Sequence, residues 1–265
     1  DYKGKRVVVI GSGATAVTLV PEMSRDTASM TMLQRSPTYI ANIPGRDKMA
    51  QMLRKWLPIS VVFRLTRWKQ VLFQLFVYRL SRRKPKQLRN FLLNKVREEL
   101  GPDYDVATHF TPRYNPWDQR LCAVPDGDMF AAIREGRANV VTDSIDCFNA
   151  SGIRLQSGAQ LDADIIILAT GLNLKFAGGV QYSIDQKPID FTRHFVYRGM
   201  MFSDIPNLAF VVGYTNSSWT LKADLTNSYV CRLLNRMARS GCKSVTPRIK
   251  QPIDEQPLLD FDAGY

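Results

Sequence analysis

Near its start the chain carries the stretch that decides its fold, Lys5-Arg-Val-Val-Val-Ile-Gly-Ser-Gly-Ala-Thr-Ala16. The four consecutive apolar residues 7–10 predict a buried parallel strand, and an apolar pattern of helical period follows the glycines. Gly11, Gly13 and Ala16 have the G-x-G-x-x-A spacing of a dinucleotide-binding turn between a strand and a helix. The stretch therefore predicts an α/β fold that begins with a nucleotide-binding unit.

Each position of this turn has a physical reason in a nucleotide site. Gly11 permits the tight turn, Gly13 lets the backbone approach a pyrophosphate, and Ala16 lets the helix pack close to the strand. The free N–H groups at the helix start then face the phosphates. The alternative is a glycine-rich turn that binds nothing. The predicted cofactor-binding residues of the loop are Gly11, Ser12, Gly13, Ala14, Thr15 and Ala16.

A second feature is the end of the next predicted strand, residues 30–34, which runs into Arg35-Ser36-Pro37. NAD-type sequences carry an acidic residue roughly 20 residues past the glycines, where its carboxylate binds the ribose 2′-hydroxyl. Here the guanidinium of Arg35 matches a 2′-phosphate in charge and in bidentate geometry, and Ser36 can add a hydrogen bond. The pattern favours NADP(H) over NAD(H), the alternative being an ordinary solvated arginine.

The excess of positive charge is confined to one segment. The chain has a net charge of +12, and residues 46–99 alone carry 15 Lys and Arg against 3 Asp and Glu. Between Pro58 and Pro85 apolar residues recur every three or four positions, which predicts a helix in a helical insertion over about residues 45–105. Three interpretations stay open: a solvated subdomain, a face that docks on a membrane surface or a partner, and a nucleic-acid surface. No recognised nucleic-acid module accompanies the charge, so we expect no such partner.

Composition and motif content exclude several other classes. With 265 residues and 45% hydrophobic residues, the chain is typical of a globular protein with a sizeable core. Its four cysteines and two histidines lack zinc-site spacing, so we predict no metal site and free thiols in the cytoplasm. The longest apolar run, residues 71–78, is far shorter than the roughly 20 residues that span a membrane. Hydrolase, Walker and metalloprotease motifs are absent from the sequence.

Beyond the insertion, the pattern predicts a loop and then short strands. Residues 108–128 are rich in proline and aromatic residues, and long loops of this kind are often functional. Residues 139–161 predict four short strands in a meander. Residues 163–169 predict a buried strand that ends in Ala169-Thr170-Gly171, where a glycine permits close approach of a ligand. Residues 208–212 predict one more buried strand.

Five motifs occur in one order along the chain: Gly11-Ser-Gly-Ala-Thr-Ala16, Leu33-Gln-Arg-Ser-Pro37, Trp117-Asp-Gln-Arg-Leu121, Ala169-Thr-Gly171, and Gly213-Tyr-Thr-Asn216 with Trp219. In that order the chain resembles the class B flavoprotein monooxygenases of the Baeyer–Villiger type, and within them the ethionamide-activating group. The resemblance extends from residue 3 to about residue 240. The motifs are specific as a set, although Ala-Thr-Gly alone is not.

The resemblance implies a Rossmann-like NADPH-binding domain with a helical insertion, joined to part of a Rossmann-like FAD-binding domain. We expect residues 1–168 to be the former, and residues 169–265 to be the C-terminal portion of the latter, with Ala169, Thr170 and Gly171 at a cofactor. The family uses NADP(H), FAD and O2 to insert one oxygen atom into a ketone or onto the sulfur of a small thioether or thioamide, through a C4a-peroxyflavin.

The resemblance also assigns two residues of the proline- and aromatic-rich loop. Arg120 matches the arginine that stabilises the flavin peroxide, and a fixed guanidinium offsets negative charge in a dry site, so we predict Arg120 as the catalytic residue. Without the family match, Arg120 would be interpreted as a loop salt-bridge residue. Gln119 stands where many relatives carry a lysine that contacts an NADPH phosphate, as in the ethionamide-activating group, and we expect a weaker cofactor contact there.

Two motifs of the family are absent from this sequence: the FAD glycine loop and the F-x-G-x-x-x-H-x-x-x-W fingerprint, which both precede the NADPH strand. We therefore expect the chain alone to bind FAD poorly and to be inactive. Two alternatives stay open. One is another flavin-dependent oxidoreductase, either N-hydroxylating or similar to disulfide reductases. The other is a non-catalytic, membrane-docking NADP-binding module.

Overall fold

A computed structural model describes residues 1–119, 121–173, 175–214 and 219–258. It divides into two compact units, of which the first is Asp1–Leu172 and the second begins at Asn173. The first unit contains β1 Arg6–Ile10, α1 Ala14–Met23, β2 Ser29–Gln34, β3 Tyr39–Ile43, α2 Lys48–Leu53, α3 Ile59–Arg83, α4 Pro85–Leu100, α5 Val106–Phe110, β4 Leu121–Pro125, α6 Asp128–Arg134, β5 Ala138–Thr142, β6 Ile145–Asn149, β7 Gly152–Leu155, β8 Gln160–Asp162 and β9 Ile165–Leu168.

A four-stranded parallel sheet lies at the centre of the first unit, in the order β5-β2-β1-β9. Val9 of β1 pairs with Met32 of β2 on one side and with Ile167 of β9 on the other. This is the 3-2-1-4 order of doubly wound nucleotide-binding sheets, which confirms the predicted α/β, Rossmann-like fold. The order reverses between β1 and β9, and such sheets bind ligands at the carboxyl ends of the strands at that point.

Both faces of β1 are covered, which explains its uninterrupted apolar run. Val7 and Val9 are buried in one cluster with Ala16 of α1. Val8 and Ile10 are buried in another cluster, which includes Ile153 of β7. A polar side chain at any of these four strand positions would be buried without a hydrogen-bond partner, which is why all four residues are apolar.

The predicted four-stranded meander was wrong in its first strand. β5 joins the parallel sheet beside β2, with Val140 opposite Met32, and only β6, β7 and β8 form the antiparallel meander. The predicted strand over residues 163–169 is shorter and less buried than expected. Among the described residues β9 pairs with β1 alone, so it is an edge strand, and Leu168 is 71% exposed.

Arg6 and Asp164 join β1 to β9 at their amino ends. The Asp164 carboxylate accepts hydrogen bonds from the backbone N–H of Arg6 at 2.8 Å and from its Nη2 at 2.8 Å. These hydrogen bonds, that from the guanidinium first, lower the pKa of Asp164 to about 2.

Asp164→Asn is expected to lower the thermal unfolding midpoint by a few degrees at pH 7 and to change it little at pH 2. Because the folded pKa of Asp164 is about 2, below the ordinary value of 3.8, the carboxylate stabilises the fold above about pH 4. That stabilisation is lost as the pH falls through 2. Thermal unfolding between pH 2 and pH 7 measures it. Asp162→Asn, which removes a 3.2 Å contact with the same guanidinium, is the control with a smaller expected effect. If the difference in unfolding midpoint between Asp164→Asn and the unaltered protein is the same at pH 2 and pH 7, the lowered pKa of Asp164 does not stabilise the fold as described.

The helical insertion lies between β3 and β4, which pair in parallel from Tyr39 opposite Leu121 to Ile43 opposite Pro125. Its helix α4 packs through Leu88, Leu92 and Leu93 on Tyr39. Helix α3 begins after one proline and ends before the next, as predicted, because proline lacks the N–H that a continuing helix needs. Most of α3 is exposed: its buried residues are Val62 and Ser81.

The second unit contains two short antiparallel ribbons and one long helix: β10 Ser183–Ile184 with β11 Lys187–Pro188, β12 Val196–Tyr197 with β13 Met201–Phe202, and α7 Trp219–Ser240. Aromatic rings pack on one another in this unit, with the centroids of Phe191 and Phe202 4.7 Å apart. The prediction of a buried strand over residues 208–212 was wrong. No described strand pairs with this extended segment, and Val211 is 45% exposed.

In the part of the chain that the structure describes, none of the helices combines the length and the apolar character that crossing a membrane requires.

Candidate nucleotide-binding site

The turn after β1 is held against the ends of both neighbouring strands. Gly11 has a φ of +123°, and a Cβ built on it would lie 2.4 Å from the carbonyl oxygen of Ala169. Its N–H donates to the carbonyl of Leu33 at 2.8 Å, and the N–H of Ala169 donates to the carbonyl of Ile10 at 2.8 Å. A side chain at position 11 would separate β1 from β9, so the turn requires glycine.

The helix that follows presents free backbone donors. Gly13 is the N-cap of α1 and supplies no side-chain cap, and no acidic residue stands in the first turn. The first hydrogen bond of the helix joins the N–H of Val17 to the carbonyl of Gly13, so the N–H groups before it have no partner within the helix. Ala14 and Thr15 are exposed, whereas Ala16 is fully buried. This end of α1 can bind an anion through its N–H groups and its dipole.

Ser12 links the turn to the end of β2. Its side chain is buried, and its hydroxyl donates to the carbonyl oxygen of Ser36 at 3.3 Å. The thiol of Cys122 in β4 lies 3.8 Å from the carbonyl oxygen of Ser12. The Ser12 hydroxyl is already hydrogen-bonded within the protein. The predicted cofactor contact of Ser12 would therefore be made by its backbone. The hydrogen bond brings the Gly11–Ala16 turn and the Arg35-Ser36 segment together.

Arg35 is exposed at the carboxyl end of β2. Within the described residues, its guanidinium makes no hydrogen bond or ion pair. The residue before it is buried: Gln34 donates from Nε2 to the carbonyl of His109 at 2.7 Å and to Oγ1 of Thr142 at 2.9 Å. Partial burial lowers the pKa of His109 below 6.5, so its ring is neutral at pH 7. Of these two residues, Arg35 therefore supplies the positive charge at this end of the strand.

The loop before β4 is attached at two places. The hydroxyls of Thr38 and Tyr114 are 2.8 Å apart, and the Tyr39 hydroxyl donates to the Tyr114 carbonyl at 2.8 Å. From α3, Arg82 donates to the Asp118 carboxylate at 2.7 Å and to the Trp117 carbonyl at 3.0 Å.

No sequence signal connected Arg82 or Tyr39 with this loop, because both contacts join residues far apart in the chain. The only hint was the loop's richness in aromatic residues.

The structure thus brings together some of the predicted site residues. The Gly11–Ala16 turn, Arg35-Ser36 and Ala169 meet at the carboxyl ends of β1, β2 and β9, while Thr170 and Gly171 follow as exposed residues. Gln119 is half-buried, and the register of β3 with β4 places it toward the same end of that pair as Ser36. The catalytic prediction for Arg120 lies outside the described residues.

No family model matches the chain. Curated relatives do: the FAD-containing monooxygenase EthA of Mycobacterium tuberculosis is 52% identical over 267 residues, which cover 100% of this chain and 55% of that protein. The probable FAD-binding monooxygenase AlmA of Acinetobacter baylyi is 51% identical over 268 residues, with 100% and 54% covered. The chain therefore spans about half the length of the curated relatives it matches.

A solved structure supports the fold independently. The complex of OTEMO with FAD and NADP has a TM-score of 0.65, with 18% sequence identity, over 91% of this chain and 53% of that one. At this identity the likeness concerns the fold alone.

Proposed function

We propose that this chain, which is similar to FAD-containing monooxygenases, forms the NADPH-binding part of an oxygenase. The complete enzyme would insert one oxygen atom from O2 into a ketone, or onto the sulfur of a small thioether or thioamide. In this proposal residues 1–168 bind NADPH, and residues 169–265 contribute to FAD binding.

The observation that carries the proposal is the position of Arg35. Its guanidinium has no partner among the described residues, and Ser36 beside it is hydrogen-bonded to the turn that faces α1. A dinucleotide that places its pyrophosphate at α1 extends its adenosine ribose toward the end of β2 in sheets of this order. An arginine there suits a ribose 2′-phosphate in charge and shape.

The residues present fit NADPH. The uncapped N–H groups of α1 supply donors for a pyrophosphate, the glycine at position 11 lets the turn that leads to them pack against β9, and Arg35 supplies the charge for the 2′-phosphate. When bound, NADPH supplies a hydride and FAD supplies the activation of O2. The protein's own part in this proposal is to hold NADPH by its pyrophosphate and by its 2′-phosphate.

For Arg120 we propose the catalytic role, with Gln119 beside it at the cofactor. A guanidinium close to the reacting oxygen would stabilise developing negative charge. The contacts of Tyr114 with Thr38 and Tyr39, and of Arg82 with Asp118, support this proposal because they fix the loop that leads to residue 120.

The relatives support the cofactors. EthA is named FAD-containing, AlmA is named FAD-binding, and the OTEMO structure holds FAD and NADP. None of these names states a substrate, so the ketone or sulfur substrate rests on the motif resemblance.

The test uses a chimera in which this chain replaces the matching segment of the EthA relative. With NADPH, ¹⁸O₂ and either a ketone or a thioether, mass spectrometry is expected to find one ¹⁸O in the product. Arg120→Ala is expected to abolish this product while NADPH is still consumed. Arg113→Ala, which removes an exposed arginine of the same loop, is the control and should keep the product.

Two results would contradict the proposal. One is full product formation by the Arg120→Ala chimera. The other is a chimera that binds FAD and NADPH but oxygenates only amine nitrogen, which would favour the N-hydroxylating class.

A further inference from the structure

Helix α3 exposes a stripe of large apolar side chains. Leu65, Trp68, Leu72 and Phe76, called here the α3 stripe, recur at steps of three or four residues and therefore lie on one face of the helix. Trp68 is 64% exposed and Phe76 62% exposed. Contiguous apolar patches that are exposed to water often mark interaction surfaces.

The stripe does not face the rest of the unit. At 3.6 residues per turn the buried Ser81 lies on the opposite side of α3 from Leu72, whereas the buried Val62, three residues before Leu65, lies at the edge of the stripe. Polar contacts attach the helix near its middle, from Lys69 to Asp47, and at its C-terminal end, from Arg82 to Asp118. The side chains of the stripe are nevertheless exposed.

The charge of α3 indicates the kind of partner. Its 25 residues, Ile59–Arg83, include six Lys and Arg and no Asp or Glu. The surrounding segment 46–99 carries the whole net charge of the chain. A partner must therefore accept bulky apolar side chains and also carry negative charge.

Among the candidate occupants, an anionic bilayer satisfies both conditions. A second copy of the chain offers the apolar surface but brings the same positive charge, which would repel. Nucleic acid offers the charge but no apolar interior for Leu72 and Phe76. Anionic lipid takes the apolar side chains at the headgroup–acyl boundary and the Arg and Lys at the headgroups.

We propose that the α3 stripe docks the protein on an anionic lipid bilayer. The helix, about 37 Å long at 1.5 Å per residue, lies in the plane of the interface rather than across it. Trp68 and Phe76 enter the headgroup boundary, and Arg64 and Arg79 contact lipid phosphates. This proposal goes beyond the oxygenase function and does not depend on it.

The test is cosedimentation of the full chain with phosphatidylcholine vesicles that either contain or lack phosphatidylglycerol. We expect binding to the anionic vesicles that falls with added salt, and little binding to the neutral ones. Trp68→Ser with Phe76→Ser is expected to weaken binding at least tenfold. Phe148→Ser removes a phenylalanine of matched exposure, 57%, from β6 and should not change it.

A second pair of variants separates the charge contribution. Arg64→Gln with Arg79→Gln should also weaken binding to anionic vesicles. Lys3→Gln with Arg25→Gln removes the same charge elsewhere and should have a much smaller effect. Circular dichroism confirms that each variant is folded, which is expected because all these side chains are exposed.

Three results would overturn the proposal. The first is no binding to anionic vesicles, and the second is binding that Trp68→Ser with Phe76→Ser leaves unchanged. The third is a failure of the EthA chimera described above to bind anionic vesicles. In that case the segments contributed by the relative would cover the α3 stripe in the complete protein. If light scattering finds a dimer that Trp68→Ser with Phe76→Ser dissociates, and vesicles are not bound, the occupant is a second copy instead.

Discussion

Arg35→Ala is expected to lower the affinity of this chain for NADPH by about 10- to 100-fold and to leave its affinity for NADH nearly unchanged. Hydrogen bonds to a charged group contribute about 1.5–3 kcal/mol, and each 1.4 kcal/mol is a tenfold change in affinity. NADH lacks the 2′-phosphate, so its binding affinity does not depend on the guanidinium of Arg35. Isothermal titration calorimetry with both nucleotides measures the difference.

The matched control is Arg25→Ala. Arg25 is also an exposed arginine of the first unit, and it pairs with Glu22 on α1 rather than facing the proposed site. It should leave both affinities unchanged. Equal affinity of the unaltered chain for NADPH and NADH would remove the basis for the assignment of Arg35.

Gly11→Ala is expected to destabilise the fold by about 2–5 kcal/mol and to weaken NADPH binding at least tenfold. The added Cβ would stand 2.4 Å from the Ala169 carbonyl oxygen, at a φ of +123° that alanine avoids. Left-handed backbone costs a non-glycine residue about 1–2 kcal/mol, and forcing packed groups apart costs about 1–3 kcal/mol more. Urea unfolding measures the first effect and calorimetry with NADPH the second.

Gly4→Ala separates the two causes. Gly4 has a φ of +64°, but a Cβ there meets no atom within 4 Å. Its cost should be about 1–2 kcal/mol from backbone strain alone, with no loss of NADPH affinity. If Gly11→Ala is no more destabilising than Gly4→Ala, the contact between β1 and β9 does not constrain the turn as described.

The parts of the fold that the sequence predicted correctly have strong local causes. The apolar run of β1, the glycine spacing and the α1 pattern are contained in 5–23, and the two prolines around α3 set its ends within a residue or two. Each of these signals depends on neighbours in the chain. Local chemistry therefore decided them.

The failures all concern pairing between distant residues. Residues 208–212 are as apolar as a buried strand, but an apolar run does not reveal whether another strand lies beside it. The position of β5 beside β2 and the pairing of β3 with β4 across the helical insertion depend in the same way on long-range contacts.

The candidate site was predictable in its residue types and not in its connections. The roles predicted for Gly11 and Arg35 follow from what a tight turn and a phosphate require, and they stay predictions. The burial of Ser12 and its hydrogen bond to Ser36 join residues 24 positions apart, and only the folded chain reveals them. The periodicity of α3 likewise predicted a helix without indicating that its apolar stripe is uncovered.

The open setting of Arg35 has a consequence for evolution. Its side chain is exposed, and the described structure gives it no partner, so replacing it should cost the fold little. Position 11 admits no side chain at all. A single nucleotide change at codon 35 would therefore alter which reduced coenzyme a descendant uses, whereas the turn proposed to bind the phosphates would have to be inherited intact.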